Sequence, residues 1–168
     1  MIFGMTTYTF VHVLISLADI VSGFVVLYGL LTANRMPGWT AVFLATALAT
    51  DLTGFGFPFH GVDPAIVVGI ISTIVLVAAI AALYAFHLAG PWRLVYVVGA
   101  VVTLYLNVFV LVAQAFGKVP ALHALAPKGS EPPFGIAQGI VLLAFIVLGV
   151  LAFRRFHPEP VGLTAAVV

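Results

Sequence analysis

A chain of 168 residues that is 64% hydrophobic and 7% charged has too few polar residues to cover a water-facing surface, since soluble domains carry about 25% charged residues. Its mean hydropathy of +1.28 points to lipid as its solvent, and a formal net charge of +1 argues against nucleic acid as a partner. Cysteine is absent, which removes disulfides, thiolate catalysis and iron–sulfur ligation together.

The fold these numbers predict is an all-α integral membrane bundle of about five transmembrane helices, one domain over residues 1–168 with no soluble domain. The opening MIFGMTTYTF has no basic n-region, and the apolar run behind it is too long for a signal h-region, so it reads as a first span rather than a cleaved leader. That span covers about 7–31 and closes at ANRMPG. The second, about 39–57, stops where Pro58 follows GFGF. The third covers about 65–88, up to AGPW, the fourth about 92–116, and the fifth about 134–153 before Arg154 and Arg155. Each is long enough for a hydrocarbon core of ~30 Å at ~1.5 Å per residue, and only a helix satisfies its own backbone there. Five crossings put the termini on opposite faces, with a loop at 117–133 on one side and a tail at 154–168 on the other. Arg35, Arg93, Arg154 and Arg155 share one side; Lys118 and Lys128 share the other. The positive-inside rule then places the N-terminus outside and the C-terminus in the cytoplasm, which for a bacterial chain means the inner membrane.

Two of the five acidic residues, Asp19 and Asp51, fall within spans. An ionisable group in lipid is costly and faces the bundle interior or water, which makes it a functional candidate. Counted from the outer ends at ~1.5 Å per residue, His12 lies roughly 8 Å deep, Asp51 roughly 9 Å and Asp19 roughly 18 Å. Asn107, Gln138 and Gln114 also fall in the outer half. His12, Ser16 and Asp19 follow i, i+4, i+7, one stripe of the first helix. Thr103, Asn107 and Gln114 form a similar stripe on the fourth, and Thr46, Thr50 and Thr53 share a face of the second. If the stripes turn inward they meet in a polar pocket opening outward, with His60 and GFGFPFHG at its rim. The competing reading treats the hydroxyls as interhelical glue, worth ~0.6 kcal/mol per hydrogen bond, and the acids as buried structural groups.

Haem needs two axial histidines at matched depth, and only His12 lies well inside a span. A divalent metal held by His12, Asp19, Asp51 and His60 has suitable ligand types without a diagnostic spacing. No cofactor is specified. The leading expectation is a small membrane protein whose outward-facing pocket binds a small ligand, proton or cation through His12, Asp19, Asp51, His60, Asn107, Gln114 and Gln138. The alternative is a non-catalytic accessory subunit packing beside other membrane subunits or copies of itself; a quinone- or haem-binding redox protein comes third. No catalytic residue is assigned.

The stretch LYLNVFVLVAQAFGKVPALHALAPKGSEPPF, with SLADIVSGFVVLYGLL and TDLTGFGFPF, resembles small multi-span inner-membrane proteins of proteobacteria. The likeness covers most of the chain and implies a membrane bundle without implying an activity. Enzymes similar to vitamin K epoxide reductase would need cysteines, and proteins similar to cytochrome b561 would need paired histidines on both faces.

Overall fold

The computed structural model describes residues 6–58 and 64–157, and all regular structure among them is helical. Helix α1 spans Thr7–Leu31, α2 Pro37–Gly54, α3 Pro64–Ile80, α4 Trp92–Lys118, α5 Pro120–His123 and α6 Pro132–Arg155. A π-helical turn, Ala81–Ala85, continues α3.

Local chemistry sets these boundaries. Thr6 caps α1, its Oγ1 accepting from the Thr9 backbone N–H at 3.2 Å; such caps satisfy N–H groups that the helix itself leaves unpaired. The chain reverses after Leu31 through left-handed Ala33 and Met36, and Pro37 opens α2 with a preset φ. The GFGFP run ends α2 at Gly54, slightly before the expected limit. Pro132 and Pro133 start α6 two residues earlier than expected, because proline tolerates the first turn, where its missing donor has no intrahelical acceptor. The expected third span ends early in regular α geometry: the Phe86 N–H donates to the Ala81 carbonyl, and His87 and Leu88 adopt left-handed φ. The stacked rings of Phe86 and Trp92, 3.7 Å apart, close the turn into α4.

Four stretches, Thr7–Leu31, Ala65–Ala85, Trp92–Lys118 and Pro132–Arg155, are long and apolar enough to cross a membrane. Helix α2 is shorter and carries Thr40, Thr46, Thr50, Asp51 and Thr53, so its composition falls below theirs. It nevertheless runs antiparallel to α1 from end to end. Tyr8 and His12 meet Thr53, Ser22 meets Thr46, and Gly29 meets Met36.

The remaining helices continue the antiparallel pattern. Phe55 packs over Gly69, Gly99 lies against Ala79, and Tyr105 meets Phe145 at 5.7 Å. Helix α4 is the central element, touching α1, α3 and α6. Two glycines permit close approaches of α4: a Cβ on Gly23 would fall 2.6 Å from Leu104 Cδ1, and one on Gly99 2.8 Å from Ala79 Cβ. Toward the arginine-bearing end the interior is apolar, with Leu27, Leu30, Leu44, Val97, Ala100 and Phe156 buried together. Arg93 there donates to the Phe153 carbonyl at 3.1 Å and lies over the Phe153 ring, tying α4 to the end of α6. The outward faces are rich in exposed apolar side chains such as Val21, Ile74, Ile140 and Leu143, as expected where lipid is the solvent.

Candidate functional site

Asp19 sits at the centre of α1, with twelve helical residues on either side. It is 0% exposed, and neither carboxyl oxygen has a hydrogen-bond partner among the described residues. Asp51 is 7% exposed on α2. Its Oδ2 lies 3.3 Å from Thr73 Oγ1, which also donates to the Gly69 carbonyl at 2.8 Å. The Ser72 hydroxyl stands beside the same carboxyl without a well-formed hydrogen bond. Both carboxyls are buried, so both turn into the bundle interior.

The helix register brings more polar atoms to this level. Thr50 lies one turn from Thr46, as Asp19 lies one turn from Ser22, and Ser22 Oγ and Thr46 Oγ1 are 3.5 Å apart. Thr103 lies one turn from Gly99, whose neighbours are Val75 and Ala79; that shift brings it level with Ser72 and Thr73. Asp19, Thr50, Asp51, Ser72, Thr73 and Thr103 therefore gather around the middle of the bundle, on four different helices. Thr50, Ser72 and Thr103 are buried, and their hydroxyl oxygens have no hydrogen-bond partner among the described residues.

Their side-chain directions set them apart. Helical Ser and Thr commonly fold back onto a carbonyl one turn earlier, and this chain does so repeatedly. Ser16 donates to His12, Ser22 to Ala18, Thr46 to Val42, Thr53 to Ala49 and Thr73 to Gly69, at 2.6–2.8 Å. Thr50, Ser72 and Thr103 make no such bond.

The other expected residues disperse. His12 is half-buried near the start of α1, where α1 meets the end of α2, its Nδ1 2.8 Å from Thr53 Oγ1 and its ring edge-on to Phe57. The Thr53 hydrogen points to the Ala49 carbonyl, so Thr53 accepts and a neutral His12 carries its proton on Nδ1. Seven residues, ~10 Å along the helix, separate His12 from Asp19. Asn107 donates to the Thr103 carbonyl of its own helix at 3.2 Å. Gln138 is buried near the start of α6 and donates to the Phe109 carbonyl at 3.0 Å, its Oε1 without a partner among the described residues. Gln114 is exposed, and His60 lies outside the described residues. Among the described residues no three His, Asp or Glu side chains gather as metal ligands would.

The arrangement is thus a buried oxygen cluster at mid-bundle, deeper and more enclosed than an outward-opening pocket. Sequence reasoning singled out Asp19 and Asp51 but missed Ser72. A single serine in an apolar helix carries no periodic signal until α3 is registered against α2. No protein-family model matches this chain, and no curated protein or solved structure matches it.

Proposed function

We propose that this chain is a multi-pass membrane protein whose central oxygen cluster, built around Asp19 with Asp51 beside it, binds a proton or a small cation. One observation carries the reading. A carboxyl group at the midpoint of a membrane helix, fully buried and without a protein partner, is too costly to keep as packing alone: an aspartate at a helix centre costs ~2.5–3.5 kcal/mol on insertion scales. Asp51 and the hydroxyls supply a surround that can accept and orient a positive guest.

The reading includes five crossings, because α2 follows α1 along its whole length, with the N-terminus outside and the C-terminus in the cytoplasm of a bacterial inner membrane. Asp19→Asn and Asp51→Asn proteins in lipid nanodiscs test it. Wild type should show proton- or cation-dependent changes in stability that Asp19→Asn removes and Asp51→Asn weakens. Equal behaviour of all three proteins would overturn it.

A second reading, the accessory subunit, draws on an apolar groove between α4 and α6 lined by Leu94, Val98, Tyr105, Leu142, Phe145 and Ile146. It fits either an acyl chain or a helix of a larger complex. Stoichiometric co-purification of other membrane subunits in mild detergent would favour it; isolation of the chain alone would count against it.

A further inference from the structure

We propose that Asp19, Thr50, Ser72 and Thr103 form a mid-bundle site for one dehydrated alkali-metal cation of sodium size. This rests on the reading of the cluster as a proton or cation site and names its guest. Five oxygens, Asp19 Oδ1 and Oδ2, Thr50 Oγ1, Ser72 Oγ and Thr103 Oγ1, are buried without partners among the described residues. They come from four helices near mid-bundle, and these three buried hydroxyls forgo the back-bond that Ser16, Ser22, Thr46, Thr53 and Thr73 make. Three buried hydroxyls turned off their own helices, in the same interior as a lone carboxyl, suit a bound guest. Interhelical glue would pair them with one another.

The donor chemistry narrows the guest. Every atom is a hard oxygen, which suits alkali and alkaline-earth ions, whereas imidazole and thiolate suit later transition metals. His12 lies ~10 Å away along α1. A proton alone satisfies too little, because a protonated Asp19 still leaves three hydroxyl oxygens and a carboxyl oxygen without partners. A cation takes lone pairs from the hydroxyls and the carboxylate together, and the hydroxyl hydrogens can then turn to Asp19 or Asp51.

Charge sets the valence. Asp51 accepts from Thr73 and Asp19 accepts from nothing among the described residues, so Asp19 is the carboxylate left to face a guest, and one carboxylate matches one positive charge. Calcium takes about six to eight oxygens, and magnesium keeps several waters; five protein oxygens in a closed interior suit neither. Ion sites at the bilayer midplane are also where transport proteins place them.

The test uses the full chain in nanodiscs, with radiolabelled sodium binding and thermal unfolding in sodium chloride against choline chloride at equal ionic strength. The site requires saturable sodium binding of one ion per chain and a sodium-dependent rise in unfolding temperature. Thr103→Val removes one ligand while keeping shape, and should weaken sodium binding about tenfold or more. Thr53→Val removes a hydroxyl outside the cluster and should leave binding unchanged. Calcium binding in place of sodium would overturn the monovalent assignment. If sodium does not bind but the Asp19 carboxyl stretch titrates with pH in the infrared, the guest is a proton; the sodium inference then fails and the reading beneath it stands. If the cluster holds only water, neither ion nor pH perturbs Asp19, and both fall.

Discussion

At the residue scale, the hydroxyls divide by what their hydrogens do. Thr53 spends its hydrogen on Ala49 and its lone pair on His12, which makes it a clasp between α1 and α2. Interhelical bonds of this kind contribute ~0.6 kcal/mol, so His12→Ala should lower stability by about that amount without changing ion dependence. Denaturation in mixed micelles reads it. Asp19 behaves differently, because nothing in the protein offsets its burial. Asp19→Asn should raise stability in cation-free buffer by ~2–3 kcal/mol, the difference that membrane insertion assigns to removing such a charge, and abolish the response to added sodium. A loss of stability in cation-free buffer would contradict the account. Glycine gives a third contrast. Gly99→Ala places a methyl 2.8 Å from Ala79 Cβ and should cost ~1–3 kcal/mol through overpacking, whereas nothing stands within 4 Å of a Cβ on Gly139. Gly139→Ala should be neutral in the same assay.

At the element scale, breakers and apolar runs made the helices legible: ANRMPG, GFGFP and AGPW mark the actual turns. The ends of α2 and α6 shifted by a few residues because proline and glycine act through the first and last turn rather than at a point. Register was not legible. Nothing in α3 alone shows that Ser72 and Thr73 meet Asp51, since that depends on how far Phe55 seats against Gly69. The stripe Thr103, Asn107, Gln114 divides by burial: Thr103 is fully buried, Asn107 donates to the Thr103 carbonyl of its own helix, and Gln114 is exposed. Outside the spans, Glu131 immediately precedes α6 and turns its carboxylate back onto the loop before it. The Lys128 backbone N–H donates to it at 2.9 Å and that of Ser130 at 3.1 Å, and these bonds hold its carboxyl below the usual range. A depressed carboxyl contributes order that is complete above its ordinary value of 4.5 and fades as pH falls through the lower folded value. Amide exchange at 128–130 should therefore accelerate in acid, and in Glu131→Gln it should be fast at neutral pH and insensitive to this titration.

At the scale of the whole molecule, the bundle is asymmetric along its length. The arginine-bearing half is packed mainly with Leu, Val and Phe, the middle holds the oxygen cluster, and the lysine-bearing end carries the ring contacts of Tyr8 and His12 with Phe57. Whether α2 crosses fixes which side each loop faces. Single cysteines at Pro58 and Ser130 in this cysteine-free chain should label together from outside with an impermeant reagent, while those at Asn34 and His157 stay protected. Labelling of Asn34 with Pro58 from one side would make α2 re-entrant. The central claim, that Asp19 binds a positive guest, is tested most directly by difference infrared spectroscopy of wild type against Asp19→Asn in nanodiscs, across pH and with or without sodium. The account predicts a carboxyl stretch absent from the variant that changes with pH and is displaced when sodium is added. An Asp19 band that responds to neither would contradict it.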